Sequence, residues 1–449
     1  MAGLARLSLG SGKRPELIDW LVIDGETPIE GLLGVDYAFR MKCDDETARC
    51  EEEIRLRLRG SAVETRALLQ QLEWALRAAN DSQVGYCFLR LFSQSLQAYV
   101  YSRILKVRLD VAGGHYPSGP LGSFELVINL TRESFFVGDE QKCNLFNTSG
   151  YGDSLGLTVY NHDDSHSGHD NWFSMNLSTL NASRAYPLRL AFFVPEGAPA
   201  LGDFHVGSLL IGEAGSVPSM SVEAENGLGG VTMVDTKASN GKYQRYTWSG
   251  SGWAELATWS LSSLMVSKLA GHHILPVLRL HHLPVSEHLR LRLVLKLQTQ
   301  RLYESPVCVV QNEKSGQVFA PLDFGLASLP RLNFAAGLNL CLEGMQSGLS
   351  ATLDVDDLLL LPQKSYAFYQ SLRPLASGSS LIDDAWRGLS WSMNAGQELK
   401  THLCLEEGHF LRPGLEQRFF VFMANESKQS PIDMSLKVMA WYRPVLEIP

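Results

Sequence analysis

The chain has 449 residues, of which 45% are hydrophobic and 19% are charged, with 39 glycines and 19 prolines. This composition excludes wholesale disorder, and the length predicts two or three domains. The net charge of −9 excludes a general nucleic-acid binder, because neutralising phosphates needs a surplus of Lys and Arg on one face.

The cysteines and the N-terminus indicate the compartment. The seven cysteines are scattered and contain no CxxC pair, so we expect reduced, mostly buried thiols rather than a disulfide framework or a zinc knuckle. The first 20 residues lack the apolar run and cleavage site of a secretory signal, and no uncharged apolar run reaches about 18 residues. We therefore expect a soluble protein that is made in the cytoplasm and does not insert into a membrane.

Alternation of apolar and polar residues predicts antiparallel strands through most of the chain. The clearest rows are 54–58, 105–111, 124–130 and 289–297. Arginines occupy the alternate positions of the first row, and Arg290, Arg292 and Lys296 occupy most of those of the last row, as expected of strands with one solvated face. The sequence therefore predicts a mainly β fold.

One segment, 61–79, has helical periodicity instead. Leu68, Leu72 and Leu76 fall on one face, and Ser61 and Glu64 have the spacing of a capping box at the start of the helix. The segment predicts one amphipathic helix. Trp74 projects near its polar side, where it either covers a loop of the same chain or contacts another subunit.

Two polar, Gly- and Pro-containing segments, 212–221 and 371–380, predict domain boundaries. The last strands, 417–424 and 435–443, are apolar on both faces, which suits buried central strands or oligomer contacts. Phe420 and Trp441 are therefore candidate oligomer contacts together with Trp74. We expect a discontinuous β-sandwich or barrel domain, residues 1–215 and 373–449, interrupted by a β jelly roll, residues 216–372.

The order of elements resembles that of phage and prophage tail-tip proteins of the distal tail protein type. The resemblance covers about the first 215 and the last 75 residues, and its carriers are 130–136 (LTRESFF), 411–418 (LRPGLEQR) and 441–444 (WYRP). It implies a hub ring at a tail end, with three- or six-fold symmetry and contacts to other tail proteins. It also implies that the chain is assembled into a virion or phage-like particle.

The middle block resembles a galactose-binding-like jelly roll of the kind found in carbohydrate-binding modules. Its carriers are 234–243 (VDTKASNGKY) and 354–357 (DVDD), preceded by Glu223 and Glu225. The resemblance implies that acidic residues on the first and last strands hold a structural calcium ion, here Glu223, Glu225 and Asp356. No other cofactor is expected.

A glycan site needs aromatic side chains for sugar faces and a few polar groups for hydroxyls. Tyr243, Trp248 and Trp253 are the candidate aromatics, and Asp235 and Asn240 are the candidate polar groups. A sandwich core needs aromatic residues in any case, which favours core or rim packing for any one of them. A cell-surface glycan is therefore a candidate partner, at a site between Tyr243 and Trp253.

The segment 161–170 (NHDDSHSGHD) contains three histidines and three aspartates that could ligate zinc. Its residues are consecutive on a polar segment, which favours a solvated loop over a catalytic site. His272, His273, His281 and His282 flank a strand-like segment and are expected at the surface. The sequence has no G-x-S-x-G, P-loop, G-x-G-x-x-G after a strand, or H-E-x-x-H motif.

We therefore expect a non-enzymatic structural subunit of a phage or phage-like tail that displays a jelly-roll module. Two alternatives remain. The first is a carbohydrate-binding surface-adhesion protein. The second is a metal-dependent hydrolase that uses His162, His166 and His169.

Overall fold

The structure of the protein is a computed structural model. It describes residues 6–12, 18–24, 29, 32–38, 43–44, 49–59, 62–80, 85–94, 96–112, 123–161, 169–176, 184–211, 221–236, 238–261, 273–282, 289–310, 321–323, 327–328, 337–348, 350–362, 366–404, 408–412, 414, 416–427 and 434–446.

Strands dominate these residues and are joined by antiparallel pairing, with 67% of the described residues in strands and 7% in helices. The predicted mainly β fold with one amphipathic helix is therefore confirmed. The elements in chain order are β1 (Ser8–Gly12), β2 (Leu21–Val22), β3 (Leu32–Ala38), β4 (Cys43–Asp44), β5 (Arg49–Arg59), α1 (Ala62–Asn80), β6 (Tyr86–Ser93), β7 (Ala98–Ala112), β8 (Ser123–Glu133), β9 (Phe136–Val137), β10 (Gln141–Lys142), β11 (Phe146–Asn147), β12 (Gly150–Tyr151), β13 (Leu157–Tyr160), β14 (Trp172–Asn176), β15 (Tyr186–Phe193), β16 (Leu201–Ile211), β17 (Ser221–Glu223), β18 (Val231–Val234), β19 (Lys242–Ser249), β20 (Ala254–Ser260), β21 (His273–His282), β22 (Leu289–Leu297), β23 (Gln300–Glu304), β24 (Cys308–Val310), β25 (Pro321–Asp323), β26 (Ala327–Ser328), β27 (Leu338–Gln346), β28 (Ser350–Pro362), β29 (Tyr366–Ser371), β30 (Ser380–Asp384), β31 (Leu389–Asn394), β32 (Gln397–Leu399), β33 (His402–Cys404), β34 (Phe410–Leu411), β35 (Glu416–Asn425), β36 (Ser435–Tyr442) and β37 (Val445–Leu446).

The chain forms two compact units: residues 1–141 with 443–449, and residues 142–442. The predicted boundaries at 215/216 and 372/373 therefore fall inside the second unit. Among the described residues, no helix combines the length and the apolar character needed to cross a membrane. The six cysteines whose side chains are described are free thiols.

The first unit is one sheet with the order β2-β1-β6-β7-β8-β5-β3, and α1 packs against β1, β6 and β7. The predicted alternation holds on β5, where Ile54, Leu56 and Leu58 are buried between exposed arginines. The apolar face of α1 is buried as predicted, with Leu72 fully inaccessible. Local periodicity therefore determines which face of each element packs into this core.

The segment 130–136, which carried the tail resemblance, has a structural role in this unit. Arg132 forms an ion pair with Glu52, and the two side chains are 1% and 0% exposed. The Arg132 guanidinium also lies 4.4 Å from the centre of the Phe136 ring. Tyr37 donates a hydrogen bond of 2.6 Å to the same glutamate. This buried network pins the end of β8 to β5.

The described strands of the second unit form four sheets in two groups. The flanking residues supply one sheet that includes the order β36-β15-β30-β31-β32 and another with the order β12-β11-β14-β35-β16-β29-β33. Residues 221–362 form the other two, with the orders β18-β19-β28-β21-β25 and β20-β27-β22-β23. These two make the β-sandwich expected of the predicted jelly roll, and we call it the inserted sandwich.

The inserted sandwich leaves the flanking sheet after β16 and returns to it at β29. Those two strands pair with each other, with Gly207 opposite Tyr366 and Phe204 opposite Tyr369. The insertion therefore ends at β28, and β29, which was predicted to belong to the jelly roll, belongs to the flanking sheet. Both attachment points lie on neighbouring strands. An insertion whose ends are close together costs little conformational entropy.

The inserted sandwich and the flanking sheet share apolar contacts. Trp172, Leu209, Phe420 and Phe422 of the flanking strands belong to the same buried cluster as the leucines of β28. A Cβ atom built on Gly207 would lie only 2.4 Å from Leu361 Cδ1. The lack of a side chain on this glycine is what lets the two parts of the unit pack so closely.

Candidate functional site

The residues predicted to hold calcium converge on one turn of the inserted sandwich. The Ser239 hydroxyl donates to Glu223 Oε1 at 3.1 Å, and the Ser239 N–H donates to Asp356 Oδ1 at 2.8 Å. Asn240 Nδ2 donates to Glu225 Oε1 at 3.1 Å. Carboxylates that are up to 133 residues apart in sequence therefore meet at residues 239–240.

The conformation of this turn explains its small and polar residues. Asn240 and Gly241 have φ values of +51° and +70°, in the left-handed region that Asn and Gly adopt most readily. Backbone hydrogen bonds close the turn, from Ala238 N to Asp235 O at 3.0 Å and from Gly241 N to Ala238 O at 2.9 Å.

We call Glu223, Glu225 and Asp356 the acidic cluster. Together with Asp357, these residues place four carboxyl groups near one buried cation, Arg279. Arg279 Nη2 lies 2.6 Å from Asp356 Oδ2, and Arg279 Nε lies 3.2 Å from Asp357 Oδ1. Burial, together with Asp357, raises the pKa of Glu223 to about 7. Burial also raises the pKa of Asp356 despite the opposing effect of Arg279. A bound cation would relieve this excess of charge.

The cluster offers oxygen atoms of the kind that calcium binds. Oε2 of Glu223 and Oε2 of Glu225 are buried and have no hydrogen-bond partner among the described residues. The three predicted ligands nevertheless do not form a group in which all ligand atoms lie within 4.8 Å of one another; among the described residues, Asp235, His281 and His282 form such a group. Calcium binding at the acidic cluster therefore stays a prediction.

Two β-bulges lie side by side where β21 meets β28. In the register, Arg279 is opposite Asp357, Leu280 is opposite Val355, and His282 is opposite Asp354. Asp356 is therefore the extra residue on β28, and His281 is the extra residue on β21. A bulge changes the direction of the side chains beside it, so both extra residues are placed away from the regular alternation of the sheet.

The bulge on β21 brings two consecutive histidines to the same side. In a regular strand, neighbouring side chains point to opposite faces, yet the rings of His281 and His282 are only 4.3 Å apart and nearly perpendicular. His281 Nε2 lies 2.9 Å from Asp235 Oδ2. Burial lowers the pKa of His281, with Asp235 acting in the opposite direction.

Neighbouring residues hold both histidine rings in place. Tyr243 stacks on His281 with ring centres 4.3 Å apart. Asp354 Oδ2 lies 3.2 Å from His282 Nδ1, and Arg245 binds Asp354 through two hydrogen bonds of 2.8 Å. Burial alone would raise the pKa of Asp354, but the bonds from Arg245 and the contact with His282 lower it to about 2.

The structure separates the predicted glycan residues into different surfaces. Tyr243 is 5% exposed and covered by His281. Trp248 lies five positions further along β19, on the opposite face, where it packs against the sandwich core. A Cβ atom on Gly344 would lie 2.9 Å from the Trp248 ring. Tyr243 and Trp248 therefore do not share one surface, and glycan binding between Tyr243 and Trp253 stays a prediction.

Trp253 and Asn240 lie in surroundings different from those of Tyr243 and Trp248. Trp253 is half-buried, and the Arg292 guanidinium lies 4.2 Å from the centre of its ring. Asn240 is exposed but is engaged by Glu225. Asp235, the fifth predicted residue, accepts from His281 rather than facing an open aromatic platform.

The three predicted oligomer contacts differ in accessibility. Trp74 is 62% exposed on α1, with the Arg77 guanidinium 3.3 Å from its ring centre. Trp441 is half-buried beside Arg189. Phe420 is 7% exposed in the core of its own unit, opposite Trp172 in the strand register. Phe420 therefore offers almost no surface to another subunit.

Most of the histidine-rich segment, including His162 and His166, lies outside the described residues. His169 stacks on Tyr160 with ring centres 3.9 Å apart. Asp170 is fully buried and accepts hydrogen bonds from the backbone N–H and the hydroxyl of Thr148, at 3.0 and 2.6 Å. Asp170 therefore has a structural role at the end of this segment.

The sequence did not predict the surroundings of Asp235 and of Asp356. His281 was expected at the surface but is 1% exposed, and the roles of Arg245, Arg279 and Asp354 were not anticipated. The apolar segment 274–280, which precedes the paired histidines, could be recognised in the sequence. The bulge that turns both rings to one side is a property of strand pairing and leaves no local sequence signal.

No protein family model matches the sequence, and no curated protein matches it. The solved structures similar to this chain include an exo-β-1,3-galactanase from Phanerochaete chrysosporium with bound β-1,3-galactotriose, at 12% identity and a TM-score of 0.22, covering 77% of this chain and 87% of that one. They also include the baseplate of phage p2, at 7% identity and a TM-score of 0.19, covering 79% and 98%.

A third similar structure is the VP2 subviral particle of infectious bursal disease virus, at 9% identity and a TM-score of 0.15, covering 70% of this chain and 82% of that one. All three similarities are distant.

Proposed function

We propose that the chain is a non-catalytic structural subunit of a phage or phage-like tail, where it forms part of a tail-tip or hub ring and displays the inserted sandwich. The observation that carries this proposal is the insertion itself. The sandwich is a complete two-sheet body that enters and leaves through the paired strands β16 and β29. We interpret this arrangement as a carrier domain that displays a module. The resemblance of the flanking sequence to tail-tip proteins supports a carrier of the phage-tail class.

Exposed apolar side chains support assembly into a larger particle. Trp74 is 62% exposed, and Leu228, Val231 and Val234 on and beside the edge strand β18 are 74%, 63% and 80% exposed. Large apolar residues at a surface favour protein interfaces, and an apolar edge strand is a template for further pairing. By the tail resemblance, the subunit is made in the cytoplasm and leaves the cell only within a particle.

A non-catalytic role is consistent with the surroundings of the polar groups. Thr401 and His402 are 2.9 Å apart, Oγ1 to Nδ1, and have the residue types of a hydrolytic site. They are only 4% and 2% exposed, and His402 Nε2 contacts the Gly202 carbonyl oxygen at 2.8 Å. A substrate needs access to such groups, so this pair favours a role in packing.

The test is the oligomeric state of the purified full chain. We expect light scattering after gel filtration to give a trimer or hexamer, and negative-stain micrographs to show rings. Trp74→Ala changes an exposed side chain and should weaken assembly without unfolding the chain, whereas Thr247→Ala on an exposed strand position should leave it intact. A strict monomer at high concentration, in both wild type and control, would contradict the proposal.

Glycan binding by the inserted sandwich is a second candidate function, supported by the half-exposed Trp253 and its neighbour Arg292. An indole face provides apolar contact for a sugar ring, and a guanidinium donates to hydroxyls. Trp253→Ala should then remove signal on a glycan array. Silence of the wild-type protein across a broad array would remove this candidate and leave the structural proposal standing.

A further inference from the structure

We propose that Asp235, His281 and His282 form a binding site for a divalent transition-metal ion of the zinc class. The three side chains come from two places in the sequence, the residue after β18 and the end of β21. Their ligand atoms all lie within 4.8 Å of one another. This group is separate from the acidic cluster at Glu223, Glu225 and Asp356 and from the histidine-rich segment 161–170.

The spacing suits one small ion. Zinc bonds to imidazole nitrogen and carboxylate oxygen are about 2.0–2.1 Å long, so tetrahedral ligand atoms lie about 3.3 Å apart. His281 Nε2 and Asp235 Oδ2 are 2.9 Å apart, and the ligand atom of His282 lies within 4.8 Å of the ligand atoms of both. Closing the three groups on an ion needs movements on the order of 1 Å.

The ligands are held before any ion binds. The bulge at His281 turns two consecutive side chains to the same side, Tyr243 stacks on the His281 ring, and the Asp354 carboxylate lies against His282 Nδ1. A carboxylate bonded to a ligating histidine orients the ring and strengthens metal sites. Arg245 fixes this carboxylate in turn through two hydrogen bonds.

The donor set selects the class of ion. Two imidazoles and one carboxylate favour zinc and neighbouring first-row ions, whereas calcium and magnesium prefer oxygen ligands alone. The side chains of Asp235 and His282 are 30% and 31% exposed, so an ion can enter from solvent. Three protein ligands leave a further coordination position for water or for a group on a binding partner.

The experiment is a titration of the chelator-treated full chain with zinc chloride, followed by equilibrium dialysis and elemental analysis. We expect one zinc ion per chain at this site, and no competition from calcium chloride. Asp235→Asn and His282→Ala should weaken zinc binding at least as much as Asp354→Asn, which removes an orienting carboxylate and should cost about 10- to 100-fold in affinity. Thr247→Ala, at an exposed position of neighbouring β19, is the matched control and should bind like the wild type.

Cobalt substitution distinguishes this site from others in the chain. We expect the visible spectrum of a cobalt ion held by nitrogen and oxygen ligands, and it should disappear in Asp235→Asn. A thiolate charge-transfer band would assign the ion to cysteines and overturn the proposal. Loss of binding in a variant with His162, His166 and His169 all changed to Ala, but not in His282→Ala, would also overturn it, as would a folded wild-type chain that binds no zinc.

Discussion

The guanidinium of Arg279 and the carboxylate of Asp356 form an ion pair of 2.6 Å inside the inserted sandwich, with side-chain exposures of 1% and 0%. Asp357 Oδ1 lies 3.2 Å from Nε of the same guanidinium. A single cation thus holds two carboxylates that have little access to water. Removing one partner of a buried ion pair lowers the folding stability by more than the intact pair raises it, because the remaining charge stays buried.

Arg279→Met should therefore destabilise the protein by about 3–5 kcal/mol, because it leaves Asp356 and Asp357 without their cation. Urea unfolding followed by circular dichroism measures the change. Arg108→Met is the control, since its pair with Asp110 is 74% and 40% exposed and such pairs contribute about 0–1 kcal/mol. Equal effects of the two substitutions would contradict the role assigned to Arg279.

Calcium should raise the thermal midpoint of the chelator-treated protein if the acidic cluster binds it. At a calcium concentration about 100-fold above Kd, the stabilisation is about 2.7 kcal/mol. Glu225→Gln keeps the size of the side chain and removes one charge, so it should reduce this shift. Scanning calorimetry with and without calcium gives the comparison, and the absence of a shift in the wild-type protein would refute calcium binding.

Gly207→Ala should destabilise the second unit by about 1–3 kcal/mol, because the new methyl group overlaps Leu361. Leu361→Ala should cost about 2–5 kcal/mol by leaving a cavity. In the double variant the methyl group occupies part of that cavity, so the two effects should not add. Strict additivity in a double-mutant cycle would show that the two residues are not in contact.

The buried histidines should lower stability as the pH decreases from about 6.5 towards 4, a contribution that the raised pKa of Glu223 opposes. Burial lowers the pKa of His409 from 6.5 to about 4, and burial does the same for His205. Between these values the unfolded chain takes up a proton that the folded chain does not, which costs up to about 1.4 kcal/mol per pH unit for each histidine.

His409→Leu should reduce this pH dependence, because the variant has one fewer histidine to protonate on unfolding. The expected result is a smaller difference between urea midpoints measured at pH 7 and pH 5 than in the wild type. His205 is unchanged in the variant, so part of the dependence should persist. An unchanged difference would mean that His409 is protonated equally in the folded and unfolded states.

The sequence predicted those features that depend on local periodicity. The alternation on β5 and the apolar face of α1 were both predicted, and the positions of the inserted strands followed from similar rows. The acidic residues Glu223, Glu225 and Asp356 were grouped only through the jelly-roll resemblance, and the structure brings all three to one turn.

The features that the sequence did not predict depend on pairing between distant strands. The first unit is completed by β37, where Val445 pairs with Val137 across 308 residues, and no local pattern marks that return. The bulges at His281 and Asp356 are likewise set by the register between β21 and β28. A one-residue change of register reverses which face a side chain occupies, so the grouping of Asp235, His281 and His282 could not be predicted from their spacing in the sequence.

The contact between Gly207 and Leu361 limits which modules could replace the inserted sandwich. Another module inserted at the same strands would have to place an apolar side chain over the backbone of Gly207. It would also have to cover Trp172, Leu209 and Phe422. A hairpin grafted in its place would leave those apolar groups in water. Chimaeras that leave these apolar groups uncovered should therefore aggregate.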